Sequence, residues 1–211
     1  MILDQDAFGI WSSVTRRAFK STFKKPSGDS SAESLKDSFN NKSDIGIYLH
    51  IPFCKSLCPA CPYVRTLRNE ELVNSYLKAL KNEIAMYGKL LNNPRLKVVN
   101  LHVGGGTPSL LNSSQYREIL DTINQYFELA QMGFGMEANP QDMTKEKAAE
   151  LVEAGARELS IGVQSFQKKN LKALGRIHSV EDSLEAVENA RKAGFKFINI
   201  DLMYMLPGQT V

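Results

Sequence analysis

From Ile45 onward the chain alternates between short apolar runs and longer stretches whose apolar residues recur every three or four positions. The short runs are IGIYLHI (45–51), KVVNLHV (97–103), FGMEA (134–138), ELSIGV (158–163) and KFINIDLM (196–203). Their length and aliphatic, β-branched character predict strands. The longer stretches predict helices over Asn69 to Leu91, Ser113 to Glu128, Thr144 to Glu153 and Val180 to Ala193. The first is the clearest: Val73, Tyr76, Leu77, Leu80, Ile84, Tyr87 and Leu91 form one stripe, while Glu70, Lys78 and Lys81 fall on other faces. Thr144 stands at an N-cap position, with Lys147 rather than Glu three residues later. Strands alternating with helices predict βα units, a parallel sheet and the α/β class.

Residues 1–43 follow a different pattern. Arg16, Arg17, Lys20, Lys24 and Lys25 lie in a mixed segment that leads into PSGDSSAESLKDSFNNKSD. This composition predicts a helix at most and then a flexible linker, so residues 1–43 are an N-terminal extension and 44–211 the core. The basic cluster reads as a solvated helical face rather than a membrane or RNA contact. Across the chain, 26 basic and 23 acidic side chains leave a formal charge of +3, too weak a field to point to nucleic acid. No run of about 18 apolar residues is present to span a bilayer, and MILDQDAFGIW has acids where a secretory signal is basic. Three cysteines are an odd number crowded into one short segment, which suits metal binding in a reducing cytoplasm better than a disulfide framework.

That segment, HIPFCKSLCPACPY, follows the first strand and spaces Cys54, Cys58 and Cys61 as CxxxCxxC. Thiolates select zinc, copper(I) or iron–sulfur. A zinc site would take a fourth ligand, with His50 or His102 as candidates. A four-iron cluster held by three cysteines would instead leave one iron open to a small molecule. GGGTPS, Gly104 to Ser109, ends the second strand and lets backbone amides approach a ligand closely, although a plain strand-to-helix turn has the same composition. Further polar groups stand at or after later strand ends: Glu137 in MEANP, Gln164 in SIGVQSF, Arg176 in LGRIH and Asp201 in INIDLM. Each alone could be a cap or a buried bridge; together they gather around one mouth facing the cysteine loop.

In combination, YLHIPFCKSLC, GGGTPS, EANP, SIGVQSF, LGRIH and IDLMYMLPGQT resemble the radical S-adenosylmethionine (radical SAM) enzymes, in the branch of oxygen-independent coproporphyrinogen III oxidase and the HemW-type heme chaperones. The resemblance runs from Tyr48 to Thr210. It implies a partial, open (β/α) barrel of about five parallel strands that stops before a sixth. It also implies a [4Fe–4S] cluster held by Cys54, Cys58 and Cys61, oxygen sensitivity, and one or two S-adenosylmethionine molecules. By the same resemblance Gly105, Gly106 and Thr107 line the methionine end of the cofactor, and Glu137, Gln164, Arg176 and Asp201 contact it. Tyr48 and His50 match YxHIPFC and are the candidate catalytic residues near the cluster, Tyr48 also as a cofactor contact. The bland alternatives are that Tyr48 packs and His50 braces the loop.

Ala60 occupies a cofactor-side position where the family usually has an aromatic ring, which Tyr63 could supply instead. Tyr63 itself replaces the oxidase's fourth cysteine, and Met205 stands where the HemW-like pattern has Gly. Expected partners are a small-molecule or porphyrin-like substrate and an electron donor such as flavodoxin or ferredoxin. Open readings are porphyrinogen oxidation, radical methylation or another hydrogen abstraction; a heme-binding carrier, toward which LGRIH and DLMYMLPGQT lean; and an inactive fragment or zinc module.

Overall fold

The computed structural model describes residues 28–93, 96–130, 133–206 and 208–209. It divides at Asn41 and Lys42 into two units. The first contains helix α1 (Gly28–Phe39), inside the stretch whose composition predicts a linker. Its Ala32, Leu35 and Phe39 are partly shielded and recur at helical spacing between exposed polar residues, so periodicity survives a Ser- and Asp-rich background. The basic cluster from Arg16 to Lys25 lies outside the described residues.

The second unit is a parallel sheet with crossover helices. Its strands are β1 (Asp44–Ile51), β4 (Lys97–Gly105), β6 (Phe134–Ala138), β7 (Ala156–Gln164) and β8 (Phe197–Leu202), hydrogen-bonded in that order. A short β5 (Glu128–Leu129) pairs with the start of β4. The helices are α2 (Glu70–Leu91), α3 (Ser113–Asn124), α4 (Lys145–Glu153), α5 (Lys168–Ala173) and α6 (Val180–Ala193). A separate pair, β2 (Phe53–Cys54) with β3 (Thr66–Leu67), closes the base of the cysteine loop. This is the α/β architecture, with about five parallel strands, that the alternating pattern predicts. Two boundaries move. The predicted helix ending at Glu128 stops at Asn124, because Glu128 and Leu129 join the sheet, and β4 runs on through Gly104 and Gly105.

Local chemistry sets the helix ends. The Asn69 side chain accepts from the Leu72 amide at 3.0 Å to open α2, and Thr144 accepts from Lys147 N to open α4. α3 and α6 begin with capping boxes built by Asn112 with Gln115 and Ser179 with Asp182. α2 buries Val73, Leu77, Leu80 and Ile84, each contributing about 1.5–3 kcal/mol. Tyr87, predicted on the same stripe, is exposed.

One sheet face carries the core. Leu49, Ile51, Leu101, Val103, Met136, Leu159, Ile161 and Val163 are buried. The positions between them are more open and mostly polar: Tyr48, His50, His102, Glu137, Ser160 and Gln164. A period of two thus divides each strand into an apolar side and a polar side. The strands are parallel, so their carboxyl ends, and the segments that follow them, meet at one rim.

Candidate functional site

The cysteine loop is tied at its base and from within. Thr66 N donates to Pro52 O at 2.7 Å and Arg68 N to Cys54 O at 2.9 Å. Cys54, on β2, is buried, while Cys58 and Cys61 lie in the loop and are joined by a turn in which Cys61 N donates to Cys58 O. Arg65 donates to Cys58 O at 2.7 Å and to Tyr63 O at 3.1 Å. Lys55, within the loop, pairs with the buried Asp142 outside it at 2.6 Å. Tyr76 of α2 packs edge-on against Phe53, ring centroids 5.4 Å apart, and its hydroxyl donates to His50 O. All three thiols are free.

A chain of side-chain hydrogen bonds joins this loop to the later strands. Arg176 Nη2 donates to Asn139 Oδ1 at 2.6 Å and to Gly162 O at 2.9 Å. Asn139 Nδ2 donates to Thr107 Oγ1 at 2.9 Å, and Thr107 Oγ1 donates to Cys54 Sγ at 3.6 Å. Arg176 Nη1 also approaches Cys58 Sγ at 3.8 Å. Three strand-end segments therefore converge on two of the thiols. Burial pushes the Cys54 thiol up from its ordinary pKa; the other two cysteines add to this, while the Thr107 bond and the Arg65 charge oppose it.

Two adjoining cavities open beside the loop. The smaller, about 40 Å³, is lined by Cys54, Cys58 and Cys61 together, with Thr107, Arg65 and Gln141. The larger, about 410 Å³, is lined on the loop side by Cys58, Ala60, Cys61 and Tyr63. Gly105, Gly106, Glu137, Gln164, Arg176 and Asp201 line it from the strand ends. Cys58, Cys61, Gly106, Asn139 and Arg176 belong to both. The larger cavity falls in the size range of small-molecule and cofactor sites. Among the described residues, no group of three or more His, Cys, Asp or Glu side chains is arranged to hold a metal ion.

Tyr48 and His50 line neither cavity. His50 Nε2 bonds to Val64 O at 2.9 Å and Nδ1 faces Tyr48 Oη at 3.2 Å, so the ring ties the end of the cysteine loop to β1. His102, paired in register with Tyr48, stacks on its ring at 6.2 Å and has Nε2 3.8 Å from Glu137 Oε1. Glu137 Oε2 accepts from Gly105 N at 3.1 Å. Gly105 has φ +118°, and a Cβ there would sit 2.8 Å from the His50 ring, so two separate constraints require glycine. Neither His50 nor His102 completes a one-ion site with the cysteines.

On the last strands, Ser160 Oγ donates to Asp201 Oδ1 at 2.8 Å, and Asn199 donates to both residues. Gln164 has a left-handed backbone, φ 66°, rare for a residue with a side chain, while its carbonyl accepts from Met203 N. Met205 is also left-handed at φ 60°, the conformation that favours the glycine of the HemW-like pattern.

Several site residues carry no signal that the strand-end reasoning used. Asn139 lies inside the quoted EANP but draws attention only once the Arg176 and Thr107 contacts are known. Ser160 and Gly162 line the cavity from within β7, and Arg65 has no motif around it. Gly175 of LGRIH, φ +68°, lets Pro59 of the cysteine loop come so close that a Cβ would lie 2.5 Å from Pro59 Cδ.

The chain is 39% identical over 166 residues to the heme chaperone HemW of Bacillus subtilis, covering 78% of this chain and 43% of that protein. It is 34% identical over 167 residues to the oxygen-independent coproporphyrinogen III oxidase of Bradyrhizobium diazoefficiens, covering 78% and 37%. Among solved structures it is similar to the coproporphyrinogen III oxidase HemN of Escherichia coli, a radical SAM enzyme, with TM-score 0.76 and 28% identity over 90% of this chain and 42% of that one. The chain thus spans less than half the length of these relatives. The family model described as the Radical SAM superfamily matches residues 48–211. On this match, and on relatives above 30% identity, the chain belongs to the radical SAM superfamily.

Proposed function

We propose that Cys54, Cys58 and Cys61 hold a [4Fe–4S] cluster in the smaller cavity and that S-adenosylmethionine occupies the larger one. The observation that carries this reading is the shared wall: Cys58, Cys61, Gly106, Asn139 and Arg176 face both spaces. The histidines favour a cluster over zinc: a structural zinc would need a fourth protein ligand, and His50 is bonded to Val64 O and Tyr48 while His102 faces Glu137. A cubane binds each thiolate through a different iron. When bound, the pair supplies one-electron reductive cleavage of a carbon–sulfur bond and a carbon radical able to abstract hydrogen.

The chain's own groups orient and enclose this pair. Thr107 and Arg176 donate toward the thiolates that bind iron. Glu137 and Asp201 offer carboxylates to amino and hydroxyl groups of the cofactor, and Gly105 and Gly106 leave room for its methionine end. Tyr48 and His50 act through the loop they brace. Tyr63 stands on the cavity wall at the position of the oxidase's fourth cysteine and supplies the ring that Ala60, also on that wall, does not.

The substrate class that fits the relatives is porphyrin-like or heme-related, with an external low-potential electron donor. A second reading, heme binding and transfer in the manner of the heme chaperone HemW, is supported by the 39% identity to that protein. The test is anaerobic reconstitution with iron and sulfide, then addition of reductant and S-adenosylmethionine with and without heme. Release of 5′-deoxyadenosine supports the enzyme reading. Stoichiometric heme uptake without it supports the carrier. One zinc with neither iron nor sulfide overturns both.

A further inference from the structure

Charge is distributed unevenly around the thiols. From Ile45 to Asn69 the chain contains Lys55, Arg65 and Arg68 and no Asp or Glu. From Leu159 to Val180 it contains Lys168, Lys169, Lys172 and Arg176, and again no acid. The rest of the sequence holds more acids than bases, so the imbalance is local. The fold presses these two stretches together: Pro59 of the cysteine loop packs on Gly175, and Arg176 reaches Cys58 Sγ at 3.8 Å. Some of the cations are engaged, Lys55 with Asp142, Arg68 with Glu70 and Lys169 with Gly208 O. Lys168 and Lys172 of α5 are exposed and have no ion-pair partner among the described residues. The smaller cavity, lined by all three thiols, reaches the surface on this side, because its wall includes the exposed Lys55 and Ile177, the latter 60% exposed. Leu57, between two residues of that wall, is 47% exposed. An apolar centre with a polar, charged surround is the anatomy of a protein contact, and electron-transfer encounters are among the smallest of these.

We infer that this face, centred on Leu57 and Ile177 and flanked by Lys168 and Lys172, is where a small acidic electron-carrier protein docks to reduce the cluster. The inference rests on the cluster reading above. The mouth of the larger cavity is then left to S-adenosylmethionine and substrate, and the electron enters through the adjoining recess. One electron passes from the carrier's reduced flavin or iron–sulfur group to the cluster. The carrier is oxidised by one electron, the cluster is reduced by one, and no covalent bond changes. Basic charge acts here by steering the encounter rather than by tight binding, so the rate falls with added salt.

The test uses the full chain, reconstituted anaerobically, with iron and sulfide counted before any comparison. A parent chain that takes up neither refutes the cluster reading itself. With the cluster present, its bleaching is followed by stopped flow after mixing with flavodoxin hydroquinone or reduced ferredoxin. Reduced methyl viologen, a small reductant that needs no docking, serves as the reference. At low ionic strength the double variant Lys168→Glu, Lys172→Glu should be reduced by the carrier proteins roughly tenfold more slowly or worse. The deficit should shrink in high salt, and the viologen rate should match the parent's. A second double variant, Lys89→Glu, Lys196→Glu, makes the same change of net charge in the last turn of α2 and just before β8, away from the cysteine loop, and should keep the parent's rate. Ile177→Ser should slow the carriers while keeping their salt dependence. The inference is overturned if neither carrier reduces a parent that viologen reduces, or if the first pair leaves the carrier rate unchanged. It is also overturned if the remote pair costs as much, or if carrier and viologen rates fall together.

Discussion

Arg176 Nη2 lies 2.6 Å from Asn139 Oδ1, and this contact joins the segment after β7 to the segment after β6 beside the thiols. The same asparagine donates to Thr107, so removing its amide breaks two bonds and strands two buried or half-buried groups. Asn139→Ala should lower stability by about 1–3 kcal/mol, read as an earlier urea midpoint at unchanged slope. A midpoint equal to the parent's would mean that the chain of bonds from Arg176 to Cys54 adds nothing to the fold.

Gly175 and Pro59 form a second link between distant motifs. Gly175→Ala puts a side chain into a left-handed conformation, at about 1–2 kcal/mol, and drives its Cβ into the proline ring. Adding Pro59→Ala should recover the part of the loss due to the clash and leave the part due to the backbone. Thermal unfolding of the two single variants and the double variant checks this. Strict additivity would place the whole effect in the backbone angle.

His178 gives the fold an acid-sensitive point. Its ring is buried, Nε2 donates to Val163 O at 3.0 Å, and Nδ1 has no partner among the described residues. Burial draws its pKa below the ordinary value, with Arg176 adding to the effect and the Val163 bond and Asp182 opposing it. The unfolded chain then binds the proton more readily, so this contribution is intact above the unfolded pKa of about 6.5 and is lost as pH falls toward the folded value. His178→Gln, which can still donate to Val163 O, should flatten the fall in melting temperature between pH 7 and pH 5. An unchanged slope would assign the acid sensitivity to other groups.

Glu137→Gln preserves size and removes charge. On the proposed reading, iron and sulfide content stay at the parent's level, while S-adenosylmethionine binds roughly tenfold more weakly, about 1.4 kcal/mol. Calorimetry on the reconstituted chain measures this. Loss of the cluster itself would move Glu137 from the cofactor to the support of the loop.

On the proposed reading each thiolate serves its own iron, so replacing Cys54, Cys58 or Cys61 singly with Ala should abolish the visible iron–sulfur absorbance while leaving the far-ultraviolet circular dichroism in place. Unchanged iron content in any one of the three would remove that residue from the ligand set.

The strand pattern was legible because β1, β4 and β7 each bury one face, so apolar residues such as Leu49 and Ile51 mark β1 by alternation, while β8 keeps the alternation of Ile198, Ile200 and Leu202 with Asn199 and Asp201 although it is largely exposed. The cavity wall was partly legible, since glycine triplets and polar residues at strand ends stand out from an apolar background. Asn139 and Arg65 did not stand out, because their significance lies in partners remote in the chain rather than in spacing. α1 was hidden by composition, and the Glu128 boundary by the short pairing with β4, a tertiary effect that helical periodicity does not register. Tyr48 and His50 matched a motif close to the cysteines, yet their side chains turn to each other and to Val64 O.

The brace on the cysteine loop is laid down in the order of synthesis. Thr107 follows Cys54 by 53 positions, and Arg176 follows Cys58 by 118. A nascent chain therefore exposes its three thiols long before the residues that fix them leave the ribosome. On the proposed reading, metal captured during that interval would meet an eight-residue segment that still lacks Thr107 and Arg176, the side chains that approach Cys54 and Cys58 in the folded sheet.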